Sequence, residues 1–209
     1  MPRSDRKQRE FERREADILD AALELCSGPD WESVSVDQIA SRAEVSKGTV
    51  YNHFASKDEL IFRLMIRFYQ GLLEQFRSLD VASGGTDALR EMFRTGLEYH
   101  VNHPEYRFVV LYCERADFKQ RAQPEWEQDL KTLDSSFEAI GVPLVQSGME
   151  YGAFQVRPLD DVLVGLHAIF KGAVSLLWIG DNWCSFSGDE KTMINAITDF
   201  MMAGLVGQP

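Results

Sequence analysis

Ile18, Ala21, Ala22 and Leu25 recur at i, i+3, i+4 and i+7, the apolar stripe of an amphipathic helix, which Ser27-Gly28-Pro29 stops. The next start signal is complete: Ser35 as N-cap, Gln38 three residues on as its reciprocal partner, and Val34 opposite Ile39 as a hydrophobic staple. That second helix presents Val36, Ile39, Ala40 and Ala43 on one face. Ser46 caps a third, short helix with Val50 and Phe54 four apart, and Ser56 with Glu59 opens a long fourth one bearing Leu60, Leu64, Phe68, Leu72 and Phe76. The helical period then continues to the end of the chain. Segments start near Thr86, Pro104, Pro124, Pro158 and Asp189, and Gly141-Val142-Pro143 predicts a kink or break. No stretch alternates as a strand does, so the fold class is all-α, with about nine helices.

Composition fits a single soluble chain of one or two domains: 209 residues, 44% hydrophobic and 26% charged. The net charge of -11 argues, taken alone, against a nucleic-acid partner, because phosphate binding rests on Lys and Arg. The charge is unevenly distributed, however. Residues 1–57 carry nine Lys and Arg against eleven Asp and Glu, while residues 58–209 carry 13 against 22. Arg3, Arg6, Lys7, Arg9, Arg13 and Arg14 outnumber Asp5, Glu10 and Glu12 in a basic N-terminal arm. The start of the chain has no apolar run resembling a secretory signal, and the apolar stretch Gly165–Gly180 is shorter than a membrane span. Three scattered cysteines, Cys26, Cys113 and Cys184, fit a reducing compartment, so a cytoplasmic location without membrane association is expected.

The second and third helices have the lengths and tight turn of a helix-turn-helix, in which the second helix of the pair enters the DNA major groove. Ser46, Lys47, Gly48, Thr49, Tyr51, Asn52 and His53 supply small polar donors, one cation and an amide that can read an adenine edge. Lys57 stands at the positive N-terminal end of the fourth helix, where a phosphate would bind.

The run Val36-Asp37-Gln38-Ile39-Ala40 through Val45-Ser46-Lys47-Gly48-Thr49, Tyr51-Asn52-His53-Phe54 and Ser56-Lys57-Asp58-Glu59-Leu60 resembles the DNA-binding signature of the TetR family of bacterial transcriptional regulators. The resemblance implies a three-helix DNA-binding domain over residues 1–57 and a helical effector-binding and dimerisation domain over 58–209. It places phosphate contacts at Ser35, Thr49, Tyr51, His53 and Lys57, base contacts at Lys47 and Asn52, and close backbone approach at Gly48. The implied function is repression of a pseudo-palindromic operator on double-stranded DNA, relieved by a small molecule; ligand-dependent activation, or control by a protein partner, is the alternative. Glu44 departs from the family, which commonly has glycine at this turn; a left-handed conformation there costs a non-glycine residue about 1 kcal/mol.

An effector cavity in a helical bundle is lined by apolar and aromatic groups. Phe62, Met65, Phe93, Leu97, Tyr99, His100, Phe108, Tyr112, Phe137, Met149, Phe170, Trp178 and Trp183 are the candidates, and their character points to an apolar or aromatic effector. Gly165, Ile169, Gly172, Ala173 and Leu176 on one late helix, with Ala196, Ile197, Phe200 and Met201 on another, offer close-packing faces for a homodimer. No cofactor or metal is expected, and no nucleophile elbow, phosphate loop or zinc-helix motif points to an enzyme.

Overall fold

The computed structural model describes residues 3–80, 85–180 and 188–206. Among these, ten α-helices account for nearly all regular structure: α1 (Arg3–Cys26), α2 (Val36–Arg42), α3 (Lys47–His53), α4 (Lys57–Ser78), α5 (Thr86–Asn102), α6 (Arg107–Cys113), α7 (Ala116–Lys119), α8 (Pro124–Glu150), α9 (Leu159–Ile179) and α10 (Glu190–Val206). Short 3-10 turns occupy Trp31–Ser33 and Pro104–Tyr106. The all-helical expectation holds.

The chain forms two compact units, residues 1–69 with 104–130, and residues 70–103 with 131–209. The division falls inside α4 and α8 and not at Lys57.

In the first unit, α1 packs on α2, and α2 on α3. Ile18, Ala22, Ile39 and Cys26 are fully buried, and Val50 and Phe54 nearly so. Each large aliphatic or aromatic group removed from water in this way contributes about 1.5–3 kcal/mol. The basic N-terminal segment is helical from Arg3, as the run of Arg, Lys, Gln and Glu allows through its high helix propensity. In α4 the burial is wider than one stripe. Leu60, Ile61, Phe62, Leu64, Met65, Ile66 and Phe68 are all buried, so this helix is enclosed on most sides over its first three turns.

In the second unit, α5 packs against α9 and α10. Leu89, Phe93, Val145, Phe154, Val162, Leu166, Met201 and Leu205 form its main core, and Leu97, Ala173 and Ile194 a smaller one. A Cβ on Gly148 would lie 2.0 Å from the Phe154 ring, and the Phe154 N–H donates to the Gly148 carbonyl at 2.8 Å. Glycine is therefore required by the close approach of that ring. The kink or break anticipated at Pro143 does not interrupt α8, which runs unbroken through it. The helix lacks one backbone donor there, and burial of the next two residues, Leu144 and Val145, offsets the loss.

Helix α9 is 21 residues long and, by length and composition, apolar enough to cross a membrane. The apolar run Gly165–Gly180 forms its later part, and the helix begins at Leu159, next to Pro158 as expected. Its inner residues, Val162, Leu166, Ala173 and Trp178, are buried in the second unit. Val164, Ala168, Gly172, Ser175 and Ile179 form an exposed, largely apolar stripe on the other side.

Candidate nucleic-acid interface

The helix-turn-helix is fixed by caps at each of its ends. Ser35 and Gln38 clasp reciprocally: the Gln38 N–H donates to Ser35 Oγ at 3.3 Å, and the Ser35 N–H donates to Gln38 Oε1 at 2.7 Å. Ser46 Oγ accepts the Thr49 N–H at 3.0 Å and starts α3. Ser56 Oγ accepts the Glu59 N–H at 3.0 Å and starts α4, while the Glu59 carboxylate reaches back to the Ala55 N–H at 2.7 Å.

Between α2 and α3 the chain turns through a left-handed residue. The Glu44 N–H donates to Ser41 O at 3.2 Å and the Val45 N–H to Ala40 O at 2.9 Å, the two bonds of a Schellman motif. Glu44 sits at the left-handed position with φ 55°, the one non-glycine residue with positive φ among those described. The conformation anticipated for this turn is thus adopted despite the side chain.

Val50 and Phe54 anchor α3 inward, 2% exposed each. Ser46, Lys47, Gly48, Tyr51 and Asn52 face outward, and Thr49 is half-buried. A Cβ on Gly48 would meet only Ser46 Oγ, at 3.7 Å. Nothing inside the chain demands a glycine at this position. Ser35 lies exposed at the start of α2.

Two of the expected contacts are placed otherwise. The His53 side chain is 4% exposed, stacked on Phe11 with ring centroids 3.9 Å apart, and its Nδ1 stands 3.7 Å from Glu15. An imidazole packed beneath α1 is not the outward phosphate donor anticipated. Lys57 Nζ donates to the Glu32 carbonyl at 2.9 Å and lies 5.7 Å from the centre of the Trp31 ring, so in the free protein its charge is held against the first unit. Lys47 Nζ donates to Asp37 Oδ2 at 2.8 Å, and this bond holds the ammonium pKa above the ordinary lysine range. Arg42 pairs with Glu24.

The effector candidates divide between the two units. Phe62, Met65, Phe108 and Tyr112 belong to the first unit, whereas Phe93, Leu97, Tyr99, His100, Phe137, Met149, Phe170 and Trp178 belong to the second. Trp183 lies outside the described residues. Several are plain core: Phe62 stacks on Trp126 at 4.9 Å, Leu97 is fully buried, and Phe93 packs in the main core of the second unit. His100 is 1% exposed; its Nδ1 donates to the Gly96 carbonyl at 2.7 Å, and Trp178 Nε1 donates to the His100 carbonyl at 2.7 Å. Burial lowers the His100 pKa to about 4, against a smaller raising effect of the Gly96 bond.

A concavity of about 750 Å³ occurs in the first unit instead, lined by polar groups that include Ser56, Asp58, Glu59, Arg63 and Arg121. Asp58 there accepts from Arg121 Nε at 2.8 Å and from the Tyr112 hydroxyl at 3.1 Å. Residues 58 and 121 are far apart in sequence, so periodicity gave no sign of this cluster.

For the dimer candidates the correction is specific. Ala173 and Met201 are core residues, 3% and 1% exposed, and cannot form an outer face. Gly165, Ile169, Leu176 and Ile197 are half-buried, while Gly172, Ala196 and Phe200 are exposed, Phe200 to 70%. The apolar period seen in sequence mixed inward and outward positions; Val164, Ala168 and Ile179 are also exposed.

Comparison with known proteins agrees with this geometry. Residues 18–64 match the family described as bacterial regulatory proteins, tetR family. The chain is 28% identical over 162 residues to the HTH-type transcriptional repressor NicS of Pseudomonas putida, covering 76% of this chain and 72% of that protein. It is 24% identical over 180 residues to the HTH-type transcriptional repressor KstR2 of Mycobacterium tuberculosis, covering 86% and 85%. In fold it is similar to the transcriptional regulator FadR of Bacillus subtilis in complex with stearoyl-CoA, with TM-score 0.69, 17% identity, and coverage of 91% of this chain and 98% of that one. With its capped helix-turn-helix and outward-facing α3, the region of residues 18–64 is a DNA-binding domain of the tetR family, and the chain is a TetR-type DNA-binding transcriptional regulator.

Proposed function

We propose that this regulator is a homodimeric repressor whose two α3 helices enter successive major grooves of a pseudo-palindromic operator. The observation that carries the reading is α3 itself: anchored by Val50 and Phe54, it turns Ser46, Lys47, Gly48, Tyr51 and Asn52 to solvent. Asn52 suits an adenine edge, Lys47 a guanine or a phosphate, and Ser35, Thr49 and Tyr51 the backbone. Lys57 joins them if it exchanges the Glu32 carbonyl for a phosphate. Residues 1–57 act as the reading module and the remainder as effector and dimer module. Repression is the sign favoured by the relatives, since NicS and KstR2 are both named repressors.

The partner for α9 and α10 in this reading is a second copy of the chain. The outer stripe of α9, Val164, Ala168, Gly172 and Ile179, together with Ala196 and Phe200 on α10, provides small and apolar positions for a four-helix contact. The effector is a small apolar or aromatic molecule; FadR, of the same fold, is in complex with stearoyl-CoA, whose acyl chain is apolar although its coenzyme A part is polar and anionic. A regulator of chromosomal DNA works in the cytoplasm.

A gel shift with the DNA upstream of the protein's own gene tests the proposal. The apo protein retards that fragment, and Asn52→Ala narrows the gap between its affinity for this DNA and for random sequence. Retardation only after an effector is added would instead favour ligand-dependent activation.

A further inference from the structure

Residues 36–57 contain three cationic side chains, Arg42, Lys47 and Lys57, and each has a partner within the first unit. Only Lys47 lies on α3. Its partner is a carboxylate from the other helix of the motif: Asp37, in the first turn of α2, ten residues earlier. Both side chains remain well exposed, 51% for Lys47 and 65% for Asp37. The pair therefore opens easily, because an exposed ion pair is held by little more than screened attraction. It also places a negative charge on the face of the motif that must meet phosphate.

We propose that Asp37 is a specificity-determining residue: an internal counter-charge for Lys47 that cancels the one cation of α3 on random DNA and yields it at the operator. The inference rests on α3 being the reading helix. On random duplex, attraction comes from cations displacing counterions along the phosphates. A neutral Lys47–Asp37 pair adds nothing to that term, and if Lys47 leaves, the bare Asp37 carboxylate faces the phosphates. At a matched site, directed hydrogen bonds from Lys47 and Asn52 to base edges compensate for breaking the pair. Asp37 thus lowers non-specific affinity more than specific affinity.

The test uses the full chain, a random-sequence duplex and a salt titration, with wild type, Asp37→Asn, Lys47→Ala and the double variant. Asp37→Ser repeats the charge change with a residue suited to a helix start, and circular dichroism checks folding of all variants. Asp37→Asn and Asp37→Ser should bind random duplex about 5- to 10-fold more tightly near 0.1 M salt, with a log–log salt slope steeper by about 1. The double variant, which lacks both charges, should bind random duplex within about 2-fold of wild type, because the intact pair is neutral. On the DNA upstream of the protein's own gene, titrated alongside, both Asp37 variants should gain less than on random duplex; an equal gain on the two DNAs would show a bare charge effect and overturn the proposal, as would no gain in either neutral variant. Unchanged binding in Lys47→Ala would also overturn it while leaving a DNA-binding protein. Failure of the wild-type chain to retain any duplex would instead bring down the reading-helix assignment on which the proposal stands.

Discussion

Phe11 lies face to face with His53, their ring centroids 3.9 Å apart and their planes inclined by 28°. The contact ties the basic half of α1 to the last turn of α3. Phe11→Ala should lower stability by about 1 kcal/mol, the scale of a stacked pair. It should also weaken operator binding, because α3 loses a brace on its C-terminal end. Urea unfolding and a gel shift on one preparation check both effects; intact affinity alongside the stability loss would limit Phe11 to packing.

Glu44 holds a left-handed backbone at φ 55° that glycine adopts without cost. Glu44→Gly should stabilise the chain by up to about 1 kcal/mol, since part of the gain is returned through the freer unfolded chain. In melting temperature this is a rise of about 1–3 °C. A lower melting point would mean that the carboxylate contributes more than the strain costs.

Within α8, two glycines should respond oppositely to alanine. At Gly148 a methyl group collides with the Phe154 ring, so Gly148→Ala should cost about 2–3 kcal/mol through overpacking. At Gly141 the nearest atom is the flexible end of Met92, 3.4 Å away, so Gly141→Ala should be neutral or gain a few tenths of a kcal/mol from helix propensity, about the scale of that substitution. Thermal melts of the two variants side by side provide the comparison. Equal behaviour would contradict the packing of Phe154.

His100 gives stability a definite pH dependence. Its folded pKa, about 4, lies below the ordinary 6.5, so between those values the unfolded chain binds the extra proton. The neutral ring's contribution is fully present above pH 6.5, falls as acid is added, and is gone near pH 4. The loss is on the order of 3 kcal/mol over that range. Urea midpoints measured from pH 7 to pH 4.5 should fall more steeply for wild type than for His100→Gln; parallel curves would rule the imidazole out as the source.

Phe200, 70% exposed on α10, is the largest apolar group on the proposed dimer face. Phe200→Glu should weaken self-association about 30-fold or more, as loss of an interface anchor does. Sedimentation equilibrium reads this directly. A dimer of unchanged strength would move the interface elsewhere.

The parts of the fold legible in the sequence were those whose partners lie within one helical turn. Ser35 with Gln38, Ser46 with Thr49 and Asp189 with Thr192 each close a cap over three residues, and spacing alone exposes such pairs. The left-handed Glu44 was legible through the family resemblance, since glycine is common at that turn. His53 was not: its polarity suggested an outward donor, and only the return of α1 brings Phe11 over it. Ala173 and Met201 show a second limit. Small and apolar residues at helical spacing serve a core and an interface equally well, and only the packing of α5 against α9 and α10 separates them. The N-terminal turns of α1 carried no apolar period to announce a helix.

Only Ala55 and Ser56 separate the C-cap of α3, Phe54, from the first residue of α4. Helix α4 has 22 residues, hence a length of about 33 Å at 1.5 Å per residue. It is a lever arm geared to the reading helix. Tilting such a rod by about 6° around its far end carries the near end through about 3 Å, close to the roughly 3.4 Å step from one base pair to the next. A tilt of a few degrees in α4 is therefore large enough to misalign α3 by a whole rung of the duplex.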